Sequence, residues 1–467
     1  MENYDLLVLG GGTGNIVASA VAQEGMDVAL VERDRLGGTC LNRGCNPPKQ
    51  LIQRANIAET VRNADQFGVD ASLNDVAFED IVDNVAAEMA QLAESKAERA
   101  RKNDHITFYQ AKGHFVDEHT VEVNTDNGTE GEQISAERIV LAGGSRPMIP
   151  ESIDGTNQVD FLTNAEVLKG EVNQLPDRLV AIGGGYITTE MSHFFSQMGT
   201  EVAIVSHSDT LVAREDADVS QQLTDIYRET HDLHLGYAAT EISENNGEKV
   251  VTAESENGEE IRIAGDELLI ATGRQPNSNL WNVSAAGLET NERGFVQTDK
   301  YLQTSVERVW AIGDIAGNYM FKHSGDKEAE YVVENSVRGN EREVDYPRMA
   351  HAIFSSPQVA SLGQSEAEID GDIKYETGTF AYSDHVLGNT FDTKGGFAKV
   401  IVGDGDEILG FHIIGPEAST LIHEVSTAVA AGADATTIAE TIHIHPALSE
   451  VVQRAFRQVR DIAPSGV

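Results

Sequence analysis

Residues 4–9 (Tyr-Asp-Leu-Leu-Val-Leu) run four apolar side chains together and stop at Gly10-Gly11-Gly12. A short unbroken apolar run ended by glycine predicts a strand buried on both faces. A helical pattern follows to about Gln23, and a second apolar run, Asp27–Val31, ends in Glu32. Leu51, Ile52, Ala55, Ile57, Ala58 and Val61 recur at helical spacing within 51–66, and 80–103 is a second helical stretch rich in Ala and Glu. Residues 105–147 are strand-like, with Asn127-Gly128 as a hairpin turn. Leu179–Ile182 and Val202–Val205 repeat the opening pattern around a second glycine loop. Asn246-Gly247 and Asn257-Gly258 mark two hairpins within an acidic meander over 241–265. From about Tyr346 the composition changes, and strands are predicted at Gly396–Val402 and Ile408–Ile414.

Strand, glycine turn, helix, strand and acid, in that order, make a dinucleotide-binding pattern. In the first copy it is carried by Gly10, Gly12, Gly14 and Glu32, with Asn15 at the third fingerprint position. The glycines let a pyrophosphate approach the helix N-terminus, and Glu32 accepts hydrogen bonds from a ribose. The second copy reads Gly183-Gly184-Gly185-Tyr186-Ile187-Thr188, followed by Thr189 and Glu190. Two such units imply two dinucleotides with electron transfer between them.

At 467 residues the chain has room for two to four domains. Its 76 acidic and 34 basic residues leave a net charge of −42, which argues against nucleic acid or an anionic membrane surface as a partner. Such an acid excess on a folded chain resembles the proteins of salt-loving organisms. At molar salt the screening length falls to about 3 Å, so surface carboxylates stop repelling one another. The chain is therefore expected to lose stability as salt is withdrawn. No run reaches the ~18 apolar residues of a transmembrane helix, and the first apolar run leads straight into a glycine loop. A soluble, cytoplasmic protein is expected.

The chain has two cysteines, both within Gly37-Gly38-Thr39-Cys40-Leu41-Asn42-Arg43-Gly44-Cys45-Asn46-Pro47-Pro48-Lys49. Two thiols do not make a disulfide scaffold, and without a neighbouring histidine they do not make a zinc site; no metal is expected. A helix starting near Pro47 and the charge of Lys49 both favour a thiolate. A redox pair and two unrelated buried thiols both fit this spacing. Near the C-terminus, His443-Ile444-His445-Pro446-Ala447-Leu448-Ser449-Glu450 offers an imidazole and, five residues on, a carboxylate able to orient it. An H-x-H metal pair or a loop histidine fits the same residues.

Gly-Gly-Thr-Cys-Leu-Asn-x-Gly-Cys-x-Pro-x-Lys resembles the active-site segment of the class I pyridine nucleotide–disulfide oxidoreductases, with Pro48 where Ser or Thr is usual. Val140–Pro147, Leu268–Asn277 (LLIATGRQPN), Val309–Asn318 (VWAIGDIAGN) and His445–Glu450 resemble further motifs of that family, in its order. The resemblance implies an α/β fold of two Rossmann-like dinucleotide-binding domains plus a C-terminal α+β dimerisation domain. It places an FAD-binding domain in 1–150 and 271–344, an NAD(P)-binding domain in 151–270, and a dimerisation domain in 345–467. FAD would be held by Gly10, Gly12, Gly14, Glu32, Gly38, Thr39, Lys49, Gly144 and Asp314. NADPH, with NADH possible, would be held by Gly183, Gly185, Glu190, Ser206, His207 and Gly273. Ser206-His207 stands where NAD-preferring members carry an acid, which is the reason for preferring NADPH.

By the same resemblance, electrons pass from NADPH through FAD to the Cys40–Cys45 disulfide. Cys45 is the thiol beside the flavin and Cys40 the interchange thiol. His445 is the acid–base group and Glu450 its orienter, both from the partner subunit of a homodimer. Lys49 and Glu190 flank the flavin, and Tyr186 gates the nicotinamide pocket. Within the family, the Gly-Thr-Gly-Asn loop and Phe321–Asp326 are most similar to haloarchaeal bis-γ-glutamylcystine reductases, and more distantly to mycothione reductase. The implied substrate is thus a low-molecular-weight thiol disulfide such as bis-γ-glutamylcystine. Two alternatives are an NAD-dependent dihydrolipoamide dehydrogenase and, in another class, a flavin-based NAD(P)H sensor or electron-transfer protein.

Overall fold

The apolar run Leu6–Leu9 is fully buried at the centre of a five-stranded parallel sheet. The structure, a computed structural model, describes residues 2–124, 131–172, 174–391 and 395–459. The predicted Asn127-Gly128 turn lies outside these residues. Across the sheet the strands are Val309–Ala311, Ile139–Leu141, Leu6–Leu9, Val28–Glu32 and Ile106–Gln110. The outermost comes from far down the chain. It pairs with Ile139–Leu141, and the turn after it, Gly313–Ile315, carries Asp314 to the carboxyl edge where Gly10–Gly12 also lies. Ligands of open α/β sheets bind at that edge.

The second glycine loop belongs to a four-stranded parallel sheet, ordered Asp232–Leu235, Glu201–Ser206, Arg178–Ile182 and Glu267–Ile270. Ser145–Pro147 and Arg274–Pro276 pair antiparallel between the two sheets. An antiparallel meander, Tyr237–Asn245, Glu248–Ser255 and Glu260–Gly265, turns at both predicted hairpins. Asn246 and Gly247 have φ of 54° and 85°, the left-handed pair that a two-residue hairpin requires. The C-terminal part is a five-stranded antiparallel sheet from Ala350–Ile353 to Tyr375–Ala381, with Ser449–Val459 packed on it through Phe411 and Phe456. Among the described residues, no helix is long and apolar enough to cross a membrane.

Two helices set the site. Asn46–Arg62 buries Leu51, Ile52, Ala55 and Ala58, and the first, third and fourth of these share a core with Met191, Phe194 and Phe195 of Tyr186–Met198. Burying one leucine or isoleucine contributes about 1.5–3 kcal/mol. This packing locks Lys49 on the first helix opposite Glu190 on the second. Pro48, the departure in the motif, stands in the first turn of Asn46–Arg62. The N–H groups there have no intrahelical acceptor, so proline forfeits no bond. Asn15 is also accommodated: Gly14 makes the close strand–helix contact, a Cβ there falling 2.8 Å from Val8 Cγ1 and 3.0 Å from Ala142 Cβ.

Candidate active site

Cys40 lies in the helix Gly38–Arg43, and Cys45 caps the helix Asn46–Arg62. Both are half-buried free thiols. The Cys40 sulfur donates to Asn46 Oδ1 at 3.5 Å. A hydrogen bond from Cys45 is the main influence drawing the Cys40 thiol down from its ordinary value to about 7, with Lys322 adding positive charge and burial opposing. The Cys45 thiol is pushed up, first by that shared hydrogen bond and then by burial. The pair therefore ionises in a fixed order, Cys40 first. Alkylation of the reduced protein by iodoacetamide is expected to fall on Cys40, rising with pH through a midpoint near about 7. Peptide mass mapping over pH 5–9 checks both site and midpoint; preferential labelling of Cys45 would reverse the order.

Cys40 and Cys45 border a cleft of about 2400 Å³, which both glycine loops, Glu32, Lys49, Tyr186, Glu190, Ser206, His207 and Asp314 also line. Single-ligand pockets run to about 300–1,000 Å³, so this one has room for two dinucleotides. Three observations test it for FAD. Gly38 has φ of 62°, and a Cβ there would come within 2.6 Å of Gly12 Cα, so two glycine backbones meet beneath open space. Glu32 is held by Gly11 N–H at 2.8 Å and Asp34 N–H at 2.9 Å, a fixed carboxylate suited to a ribose diol. Asp314 accepts from the Ser145 hydroxyl and faces Arg274 Nε at 3.7 Å. These residues fit the dinucleotide. Gly144 and Gly273 flank the paired crossing strands, with φ of 68° and 132°.

Lys49 Nζ lies 2.8 Å from both carboxylate oxygens of Glu190 and 4.5 Å from the Phe354 ring centre. Glu190 also accepts from Phe354 N–H at 3.0 Å. The Tyr186 hydroxyl donates to Glu215 at 2.5 Å, and its ring lies parallel to those of His351 and Phe321. Glu215 also takes His351 Nε2 at 2.9 Å and Ser361 Oγ at 2.6 Å. Burial pushes its carboxyl up, but these three hydrogen bonds outweigh burial and hold it below the usual carboxylate range. Ser206 is buried and accepts Ser208 N–H at 3.3 Å, while His207 and Arg214 are exposed.

His445 Nδ1 pairs with Glu450 Oε2 at 2.9 Å. Burial works against the Glu450 carboxylate, yet bonds from His385, His445 and Ala447 N–H hold its carboxyl low. His443 is turned away: its ring is tied to Glu424 at 2.5 Å and to Thr441 O at 2.9 Å. Neither His445 nor Glu450 lines the cleft of its own chain. Sequence reasoning missed four groups: Arg274, Glu215, His351 and His385. Each is identified by a partner far away in the chain, and local sequence carries no sign of such a bond.

Fold and site together define a flavin-dependent disulfide oxidoreductase. Residues 4–353 match the pyridine nucleotide-disulphide oxidoreductase family, and residues 349–456 match that family's dimerisation domain. The chain belongs to this family, whose members use FAD and NAD(P)H, and it is an NAD(P)H:disulfide oxidoreductase. It is 34% identical to a dihydrolipoyl dehydrogenase of Halobacterium salinarum, over 97% of this chain and 95% of that one. It is 31% identical to mycothione reductase of Mycobacterium tuberculosis, over 98% and 100%. Among solved structures, the Cu(II) complex of the HOCl-induced flavoprotein disulfide reductase RclA of Escherichia coli matches with a TM-score of 0.86 at 25% identity, over 98% and 100%.

Proposed function

We propose that the enzyme transfers electrons from NADPH, through FAD and the Cys40–Cys45 pair, to a low-molecular-weight thiol disulfide, with bis-γ-glutamylcystine the preferred candidate. The observation that carries the disulfide chemistry is the pair of half-buried free thiols bordering a cleft built by both glycine loops. FAD, when bound, supplies the two-electron relay between the nicotinamide and the cysteine pair. Gly10, Gly12, Gly14, Glu32, Gly38, Thr39, Gly144 and Asp314 would hold it, with Lys49 and Glu190 beside its ring system. Gly183, Gly185, Ser206, His207 and Gly273 would hold the nicotinamide dinucleotide, and Tyr186 would gate its pocket. The division of the chain at 150, 270 and 344 belongs to the same reading, supported by the sheet that joins Val309–Ala311 to Ile139–Leu141.

The chain's own residues carry the exchange. The Cys40 thiolate attacks one sulfur of the substrate disulfide, forming a mixed disulfide and expelling a thiolate. His445 protonates that thiolate. Its Nδ1 is held by Glu450, which leaves Nε2 for the transfer. Cys45 then attacks Cys40, releasing the second thiol and restoring the Cys40–Cys45 disulfide. Two electrons and two protons convert RSSR into 2 RSH.

Action of His445 on the partner's site in a homodimer is supported by its surroundings. Its side chain is 59% exposed, and flanking Ile442 and Ile444 are 97% and 79% exposed in the single chain. Apolar side chains so exposed beside a catalytic group mark a surface that a second subunit covers. NADPH is favoured because the second unit's acidic position is Ser206, with His207 lining the same cleft. The dihydrolipoyl dehydrogenase relatives keep lipoamide with NAD as a second reading. Steady-state assays in molar KCl with NADPH or NADH, against bis-γ-glutamylcystine, glutathione disulfide and lipoamide, separate the two. The expected result is the highest kcat/KM with NADPH and bis-γ-glutamylcystine. Preference for NADH with lipoamide would replace this reading by the second.

A further inference from the structure

Glu450 does not serve His445 alone. Its Oε2 receives His445 Nδ1 and His385 Nε2, each at 2.9 Å, and Ala447 N–H at 3.3 Å. His385 caps the short helix Val386–Asn389, far from His445 in sequence. The two imidazoles stand at 88° to one another with centres 6.5 Å apart. Their exposures are opposite: 2% of the His385 side chain and 59% of the His445 side chain. One ring is built into the core and the other is offered outward, on a single carboxylate oxygen.

The hydrogen-bond partners assign the tautomer of His385. Its Nδ1 accepts Gly388 N–H at 3.3 Å, so the ring proton sits on Nε2 and is donated to Glu450. The mount is rigid. His385 N–H bonds Tyr382 O at 3.0 Å, Asn389 N–H bonds His385 O at 2.8 Å, and the buried Tyr382 is tied to Pro416 O at 2.9 Å. The ligand atoms of His385, His445 and Glu450 lie within 4.8 Å of one another, a spacing that also suits a metal ion. A metal on His385 Nε2 would force the proton to Nδ1, against the Gly388 N–H. The local geometry therefore favours a hydrogen-bonded carboxylate over an ion.

We propose that His385 is a positioning residue for the acid–base pair: its Nε2–H pins Glu450 Oε2 where that oxygen receives His445 Nδ1–H. This rests on the disulfide-reductase reading above. An exposed imidazole held by a single carboxylate is well oriented only if the carboxylate itself cannot turn. Outer partners of this kind fix ring orientation at other sites, and small misplacements of a reacting group lower rates steeply.

The test uses the full-length, flavin-loaded protein in molar KCl with its best disulfide substrate. His385→Ala is expected to lower kcat about tenfold and leave KM within about twofold. His385→Gln, whose amide N–H reaches the same oxygen, is expected to restore kcat to within about twofold of wild type. In the background of His445→Ala, His385→Ala is expected to cost nothing further, because it acts only through that ring. Flavin content and dimer mass report folding, and the Gln variant keeps the comparison decisive if Ala is unstable. A wild-type kcat in His385→Ala, equal impairment by Gln and Ala, or multiplying losses in the double variant would overturn the proposal while leaving the reductase reading intact. Saturable Zn2+ binding lost in His385→Ala would overturn it in favour of a metal site. Full turnover by His445→Ala alone would instead overturn the reading on which it rests.

Discussion

Cys40→Ser is expected to abolish disulfide turnover, by at least about a thousandfold, while the purified variant keeps its flavin. The loss follows from what ionises. The Cys40 thiol is drawn down to about 7, so about half of it is thiolate at neutral pH, whereas a serine hydroxyl at the same place remains protonated. The helix Gly38–Arg43 and the neighbouring Gly12 contact do not depend on the sulfur, so the variant should fold as wild type. Cys45→Ser gives a different outcome, which sharpens the test. It leaves Cys40 free to attack but removes the thiol that resolves the mixed disulfide. One equivalent of substrate thiol should then stay bound to Cys40, visible by intact mass and released by dithiothreitol. Turnover by Cys40→Ser within tenfold of wild type would mean that another nucleophile carries the reaction.

His445→Ala is expected to lower turnover by about 10²–10⁴-fold, the range that positioned acid–base groups supply, while NADPH still bleaches the flavin at the wild-type rate. A flavin-based sensor or electron-transfer protein would not need His445 and would be unaffected. The size of the loss should depend on the substrate. A leaving thiolate of high basicity needs a proton, and one of low basicity departs without it. Turnover of an aromatic disulfide such as dithiobis(nitrobenzoate) should therefore lose far less than turnover of an aliphatic one. Equal losses for both would remove the leaving-group proton from the mechanism. Coexpression of Cys40→Ser and His445→Ala subunits tests the shared site. If His445 serves the partner's Cys40, each mixed dimer holds one doubly altered site and one intact site, and about half of the wild-type turnover per dimer returns. If it serves its own chain, mixing restores nothing.

Much of the fold was legible because it is written in local periods. Leu6–Leu9 reads as a buried strand from four consecutive apolar residues, and both Asn-Gly hairpins of the meander appear where the turn chemistry puts them. The candidate site was legible where one segment holds the side chains proposed to act: Cys40 and Cys45 within a single motif, His445 and Glu450 five residues apart. Less legible was why the motif tolerates its departures. Pro48 is explained by its place in the first helical turn, and Asn15 by the contact already made at Gly14.

By itself the sequence determined the two glycine loops, the thiol pair and the histidine–carboxylate pair, because each is a short stretch whose geometry follows from local backbone preference. Only the tertiary structure decided how they come together. Sheet order sets Asp314 beside the first glycine loop, helix packing sets Lys49 against Glu190, and a buried turn sets His385 on the oxygen that holds His445. Those contacts join residues far apart in the chain, 65 positions for His385 and Glu450 and 141 for Lys49 and Glu190, and their energies come from burial and desolvated hydrogen bonds that exist only once the chain has closed on itself.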